Sequence, residues 1–166
     1  MFSQTSAATP DRPLVGIHGW LIDAPEPGKL RSRTDGALII DGAHIAEAGD
    51  FDSLSKKPRA QPVRWIHSNR LAIFPGLIDL HAHVPQYPGV ARGTSDLLPW
   101  LRQTVFPLER EFTGPRGRRE AGAFFAELAR QGTTTAMLYT AIYEDSAEAC
   151  FHAAAQCGLR VIMGKM

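Results

Sequence analysis

The chain has 166 residues, of which 44% are hydrophobic and 21% are charged, a composition typical of globular proteins. Lysine and arginine together number 18 against 17 aspartate and glutamate residues, so the formal net charge is +1. This balance gives no electrostatic reason to expect nucleic acid or an anionic membrane as a partner. No run of residues approaches the roughly 18 apolar positions that a membrane-spanning helix needs.

Residues 1–10 have neither the basic segment nor the apolar segment of a secretory signal, and we expect them to form a flexible tail. The two cysteines of the chain, Cys150 and Cys157, lie in a helix-like stretch. They are about two helical turns apart, which is too far for a disulfide within one helix. We interpret both thiols as reduced, which predicts a cytoplasmic protein.

Residues 11–72 are predicted to form a small β-rich unit. Short segments rich in β-branched residues alternate with polar or proline-rich connections. The clearest local signal is Asp41-Gly42, which lies between the segments 37–40 and 44–48 and predicts a hairpin.

The end of this unit predicts a second hairpin. Residues 63–66 and 70–73 are strand-like, and Ser68-Asn69 between them are turn-forming residues. Three histidines of the unit have no partner at ligand spacing along the chain and are interpreted as ordinary strand residues: His18, His44 and His67.

The pattern changes at Pro75-Gly76. From there, segments predicted as strands (77–81, 133–139 and 159–163) alternate with segments predicted as helices (96–106, 117–130 and 144–156). This alternation is typical of a parallel sheet with crossover helices. The last strand would form an uncovered sheet edge, so we expect these residues to be the first part of a longer protein.

Two histidines, His81 and His83, end the first of these strands. Residues two apart in a strand point to the same face, so both imidazoles can reach one metal ion. An isolated His-x-His is often a coincidence or a hydrogen-bonded surface pair. Here it follows an apolar strand and precedes a loop rich in glycine and proline, which favours metal ligation at the carboxyl end of a barrel strand. Asp79 shares the same parity and is predicted to orient the site from the second shell of ligands.

Residues 75–83 resemble the first barrel strand of the amidohydrolase superfamily. Their sequence is Pro75-Gly76-Leu77-Ile78-Asp79-Leu80-His81-Ala82-His83. Members of that superfamily carry a small β-sandwich, built partly from the N-terminal segment, beside a distorted (β/α)8 barrel. The resemblance implies an α/β fold in which residues 11–72 belong to the β-sandwich. Residues 73–166 would be the first strands and helices of a TIM-type barrel, truncated after the third strand.

A narrower resemblance, to guanine deaminases, begins at the same histidines. In that family a glutamine three residues after the second histidine contacts the purine, and Gln86 has this position. An amide has donors and an acceptor that match the mixed edge of guanine. The resemblance implies that Gln86 and His83 bind the substrate. Four other segments are similar to that family: Trp100-Leu101, Phe106-Pro107-Leu108-Glu109, Gly132-Thr133-Thr134-Thr135-Ala136 and Gly164-Lys165.

This resemblance implies hydrolytic deamination of guanine to xanthine and ammonia, a step of purine catabolism. It implies one divalent metal, usually zinc with iron as the alternative, held by His81, His83, a later histidine and a late aspartate. A glutamate would move the proton. These groups are expected beyond Met166, so the 166-residue chain alone is expected to be inactive and to bind metal weakly. The implied partners are a small purine substrate and a second subunit of a homodimer.

Two alternatives stay open. The chain can belong to another amidohydrolase that acts on a different purine, a triazine or a cyclic amide. It can also be a non-catalytic fragment that associates through its β-rich unit and open sheet edge. Cytidine-type zinc deaminases do not fit, because the chain lacks their His-x-Glu and Pro-Cys-x-x-Cys motifs.

Overall fold

The computed structural model describes residues 12–93 and 96–166, so the predicted tail at residues 1–10 lies outside the described part of the chain. Contacts divide the chain into two compact units, one ending at Pro75 and the other covering Gly76–Met166. Within the described residues, no helix is long and apolar enough to cross a membrane.

The first unit is built on a four-stranded sheet with the order β3-β2-β1-β4. Antiparallel pairing joins β1 to β2 and β2 to β3, whereas β4 pairs with β1 in parallel. Gly42, with a φ of +59°, lies in the turn between β2 and β3 and confirms the predicted hairpin. The four strands are β1 Leu14–Glu26, β2 Lys29–Asp41, β3 His44–Asp50 and β4 Val63–Ile73.

The predicted second hairpin, around Ser68-Asn69, is wrong. Strand β4 continues through both residues and pairs with β1 on either side of them, instead of folding back on itself. The turn-forming residue types of this segment are accommodated by a bulge within the strand.

The bulge changes the register of the β1–β4 ladder. His18 lies opposite His67, whereas Trp20 lies opposite Ala72, so only Gly19 of β1 faces the residues of β4 between the two pairs. A Cβ atom on Gly19 would lie 2.7 Å from a carbonyl oxygen of the bulge, closer than real Cβ atoms approach. A glycine at this position therefore lets the bulge pack against β1.

A short helix that the sequence did not predict, α1 Phe51–Lys56, follows β3. It buries Leu54 against the sheet. The core of this unit consists of Leu14, Ala37, Ile39 and Leu54, with Phe51, Val63 and Trp65 packed against them. The described part of this unit is thus one sheet with one helix.

The second unit contains a three-stranded parallel sheet in chain order, which confirms the predicted parallel sheet. Its strands are β5 Leu77–His83, β6 Thr133–Tyr139 and β7 Arg160–Gly164. Two long helices provide the crossovers: α4 Gly114–Arg130 and α5 Glu144–Cys157. Gly158, with a φ of +72°, ends α5 in the left-handed conformation that glycine adopts most readily.

The connection from β5 to α4 is also helical over most of its length. It consists of a 3-10 helix Val84–Gly89, the helix α2 Leu97–Trp100, a π-helical turn Leu101–Val105 and the helix α3 Phe106–Glu111. A π-helical turn inserts an extra residue into the helical repeat, and such turns are frequent at functional sites.

The core of the second unit lies between the sheet and its helices. Phe125 of α4 and Leu138 of β6 are almost completely buried there. Other members of this core are Val84, Phe112, Ala121, Phe124, Ala136, Cys150, Ala153 and Ala154. Cys150 and Cys157 are both free thiols, as predicted, and burial raises the pKa of Cys150 to about 12.

Candidate active site

The strand-end pair, His81 and His83, lies at the carboxyl end of β5. The Nε2 atoms of the two rings are 3.2 Å apart, so the side chains leave the strand on one side and converge. Tyr139 of β6, whose Cα pairs with that of His83, packs against both rings, with centroids 5.3 Å from His81 and 5.1 Å from His83. The neighbouring strand thus holds the two imidazoles in place.

The environment of His83 favours the neutral imidazole. Burial lowers the pKa of this histidine, and the positive charge that His81 can carry lowers it further. Its Nδ1 atom is buried and has no hydrogen-bond partner within the described residues. A neutral imidazole has a free lone pair, which is the form that binds a metal.

The spacing of the strand-end pair fits two adjacent ligands of one metal ion. With Zn–N bonds of about 2.1 Å, two nitrogen ligands of a tetrahedral zinc ion lie about 3.4 Å apart. The observed Nε2–Nε2 distance is 3.2 Å. No group of three or more ligand side chains is gathered in the described part of the chain. The described residues therefore fit part of a metal site.

Asp79 reaches the pair through the backbone. Its carboxylate oxygen Oδ1 accepts a hydrogen bond from the backbone N–H of His81 at 3.0 Å. This contact fixes the chain just before the first imidazole. It differs from the carboxylate–imidazole contact that usually orients a ligand histidine, so the orientation of the metal ligands by Asp79 stays a prediction.

Gln86 lies in the 3-10 helix that follows the strand-end pair, and it lines a cleft of about 450 Å³ together with His83. Aromatic and apolar side chains form most of the remaining wall, and Arg92 adds a guanidinium. This combination of a mainly apolar cleft and a few polar groups is typical of small-molecule sites.

Glu109 of α3 is the partner of Gln86, and the sequence interpretation did not assign it a role. The Nε2 of Gln86 donates a hydrogen bond to the carboxylate Oε1 of Glu109 at 3.5 Å. Glu109 is 8% exposed; burial raises the pKa of its carboxyl group, and the bond from Gln86 partly offsets that effect. Gln86 and Glu109 are 23 positions apart, so spacing along the chain does not connect them. The one signal in the sequence was the resemblance of the Phe-Pro-Leu-Glu stretch to guanine deaminases.

Three aromatic residues near the cleft or the histidines were given no role from the sequence, although Trp100 lies in a segment that resembles guanine deaminases. Tyr87 and Trp100 line it, and Trp100 donates from its indole Nε1 to the backbone oxygen of Arg92 at 2.9 Å. Tyr139 packs on the histidines from the next strand. Aromatic residues at such positions look like ordinary core residues in a sequence, so only the folded arrangement identifies them.

Comparisons with known proteins identify the family of the chain. The model of the family described as "Amidohydrolase family" matches residues 72–166. Guanine deaminase of Escherichia coli (strain K12) is 34% identical over 148 residues, which cover 87% of this chain and 34% of that protein. The 5-methylthioadenosine/S-adenosylhomocysteine deaminase of Thermodesulfovibrio yellowstonii is 28% identical over 135 residues, which cover 79% of this chain and 29% of that protein.

A solved structure is also similar to this chain. Guanine deaminase from Bradyrhizobium japonicum superposes with a TM-score of 0.78 at 27% identity, over 92% of this chain and 35% of that one. The chain spans about a third of the length of the curated relatives it matches. The family match covers more than half of the chain and includes the strand-end pair and the cleft. The chain therefore belongs to the Amidohydrolase family.

Proposed function

We propose that the whole protein containing this chain is a guanine deaminase, which hydrolyses guanine to xanthine and ammonia in purine catabolism. The observation that carries the proposal is the convergence of the Nε2 atoms of His81 and His83, the second of which lines a cleft together with Gln86. The guanine deaminases among the relatives support the choice of substrate.

The proposed fold of the whole protein is a (β/α)8 barrel with an N-terminal β-sandwich. Three parallel strands with helical crossovers support the barrel, because this is its repeating unit. The histidines lie at the carboxyl end of the first strand, where barrel enzymes have their active sites. The sheet of the first unit is proposed as part of the sandwich.

The proposed cofactor is one divalent metal ion, zinc or alternatively iron, with His81 and His83 as two of its ligands. Imidazole nitrogens suit both metals. When bound, zinc makes a nucleophile available at neutral pH, since it lowers the pKa of water to about 7. The lowered pKa of His83 keeps its ring neutral and ready to act as a ligand at pH 7.

The proposed substrate contacts are made by the cleft. Gln86 donates one N–H to Glu109, which leaves its carbonyl oxygen and its second N–H for the edge of the purine. His83 lies against the same cleft and contributes to binding next to the reacting carbon. Tyr87 and Trp100 provide apolar surface against which a flat ring can pack. Asp79 is proposed to support the site through the backbone of His81.

A second candidate is the deamination of a larger purine compound, because several relatives are named 5-methylthioadenosine/S-adenosylhomocysteine deaminases. Guanine is favoured over it because guanine deaminases are among both the relatives and the similar solved structures, whereas the amide of Gln86 suits the donors and acceptors of either purine. The amidohydrolases that act on a triazine or a cyclic amide are the remaining alternatives.

We also propose that the whole protein is a cytoplasmic homodimer. Two free thiols, one of them with a pKa raised to about 12 by burial, support a reducing compartment. The dimer rests on the resemblance to guanine deaminases alone. Light scattering on the purified whole protein measures its mass, and a mass of one subunit would contradict this part of the proposal.

The function is tested by incubating the whole protein with guanine, with 5-methylthioadenosine, with S-adenosylhomocysteine and with a triazine, while ammonia release and the ultraviolet spectrum are followed. We expect xanthine from guanine and much slower release of ammonia from the others. Preferred turnover of another compound would replace guanine as the substrate. The 166-residue chain alone serves as a comparison and is expected to be inactive.

A further inference from the structure

A second pair of histidines meets in the first unit. His18 of β1 and His67 of β4 are direct neighbours in the parallel ladder, and their Nδ1 atoms lie 3.0 Å apart. We call these two residues the cross-strand pair. They are 49 positions apart in the chain, and the family match at residues 72–166 includes neither of them.

Asp35 fixes which nitrogen of His18 carries the proton. Its carboxylate Oδ1 lies 2.7 Å from Nε2 of His18. An ionised carboxylate only accepts hydrogen bonds, so the proton of the imidazole lies on Nε2. The Nδ1 of a neutral His18 therefore accepts a hydrogen bond from Nδ1–H of His67, and His67 must take its other neutral tautomer, with the proton on Nε2, before both Nδ1 atoms can bind an ion. A carboxylate behind an imidazole is also the usual support for a histidine that binds a metal.

Aromatic packing holds both rings of the cross-strand pair. Phe51 stacks on His18 with centroids 3.8 Å apart and planes 8° apart, and it meets His67 edge-on at 5.4 Å. Trp65 stacks on His67 at 6.1 Å. Rings held on several sides need little reorganisation before they bind an ion.

The pair is accessible from a cleft of about 630 Å³. Besides the two histidines and Asp35, the cleft is lined by Gly19, Trp20, Thr34 and Ser68. The hydroxyl groups of Thr34 and Ser68 make part of this wall polar. The bulge of β4 begins directly after His67, and β-bulges are frequent beside functional sites.

We propose that the cross-strand pair is a second metal site, which binds a divalent first-row transition metal through Nδ1 of His18 and Nδ1 of His67. The separation of 3.0 Å is close to the distance between two nitrogen ligands of one ion, about 3.4 Å for zinc. Water completes the coordination through the open cleft. Neutral imidazoles bind Cu²⁺ more tightly than Ni²⁺ or Zn²⁺, so Cu²⁺ is the strongest probe.

The proposal is tested on the 166-residue chain with both His81 and His83 replaced by alanine, which removes the strand-end pair. Isothermal titration with Cu²⁺ and then with Zn²⁺ is expected to give one ion per chain. Further replacement by His18→Ala or His67→Ala should weaken binding at least about 10-fold, and Asp35→Asn about 10- to 100-fold. His44→Ala is the matched control, an exposed strand histidine, and should change nothing.

A measurement without any substitution guards against variants that do not fold. Paramagnetic Cu²⁺, added below one equivalent to the unsubstituted chain, should broaden the ring resonances of His18, His67, His81 and His83 first. Absence of broadening at His18 and His67 once enough Cu²⁺ for both pairs has been added would overturn the proposal. The same conclusion would follow if the cross-strand variants bound Cu²⁺ as tightly as the His44→Ala control; the pair would then be a hydrogen bond within the sheet only.

Discussion

The strand-end pair and the cross-strand pair both bring two imidazole nitrogens about 3 Å apart, but they do so in different ways. His81 and His83 belong to one strand and meet through Nε2. His18 and His67 come from two strands and meet through Nδ1. The carboxylate of Asp35 determines which nitrogen of His18 carries the proton, whereas the buried Nδ1 of His83 has no partner among the described residues.

The two pairs also differ in how well a sequence alone predicts them. Side-chain alternation within one strand is enough to predict that His81 and His83 converge. The meeting of His18 and His67 depends on the register between β1 and β4, which the whole length of both strands decides. A site within one element is therefore visible in the sequence, and a site between two elements is not.

The largest effect is expected at the strand-end pair. In the whole protein, His81→Ala or His83→Ala should abolish guanine deamination and metal retention together, because each removes a ligand of the proposed metal. His152→Ala is the matched control, an exposed histidine of α5, and should retain activity. Turnover and metal content are measured on the same samples. Activity that survives in either variant would show that the strand-end pair is not required for catalysis.

A smaller effect is expected when Gln86 is replaced. This residue lines the cleft that is proposed to bind the substrate beside the strand-end pair. Gln86→Ala in the whole protein should lower kcat/KM for guanine about 10- to 100-fold, since a lost polar contact in a buried site costs about 1–3 kcal/mol. Gln103→Ala, at an exposed position of the π-helical turn, is the control. Equal values for the two variants would remove Gln86 from the proposed substrate contacts.

The two aspartates offer a sharper contrast between the pairs. Asp35→Ala should let His18 exchange between its two neutral tautomers, because no carboxylate then accepts a hydrogen bond from Nε2. Asp79→Ala should leave the rings of His81 and His83 unchanged and lower the free energy of unfolding by about 1 kcal/mol, the value of one hydrogen bond. Nitrogen chemical shifts of the histidines and urea titrations measure the two effects. A tautomer change caused by Asp79→Ala would show that this carboxylate acts on a ring after all.

The smallest effect is expected in the acid titration of the metal-free chain. Burial lowers the pKa of His83 below the ordinary value of 6.5. The unfolded chain therefore binds this proton more readily than the folded chain, and the free energy of unfolding should fall as the pH drops below about 6.5. Proton resonances of the ring should report a pKa below 6.5 for His83. A value at or above 6.5 would contradict the effect of burial on His83 and the neutral imidazole inferred from it.

Much of the second unit could be predicted from the sequence. Its three strands and its long helices follow from apolar segments that end at glycines, such as Gly132 and Gly158, and the structure confirms them. The first unit was predicted less well. The hairpin around Ser68-Asn69 was wrong because residues that favour turns also favour bulges, and pairing with β1 decided between the two.

The residues of the candidate site also differ in how well the sequence predicts them. His81, His83 and Gln86 lie within a few residues of one another, so spacing and resemblance were enough to predict them as candidate site residues. Glu109 and Tyr139 reach the site from a later helix and the next strand, which spacing does not reveal. The contact of Asp79 could not be foreseen either, because strand parity gives the face of a residue and not the hydrogen bond that its carboxylate chooses.

The bulge of β4 places a constraint on Gly19 that related sequences can record. A side chain at position 19 would collide with a carbonyl oxygen of the bulge, so any larger residue there requires the bulge to shorten or move. We therefore expect the bulge and the glycine at position 19 to covary among homologues. Relatives with a long bulge should keep glycine, and relatives that lack the bulge should tolerate alanine or serine at this position. Because His67 immediately precedes the bulge, the same evolutionary change would also shift the histidine that meets His18.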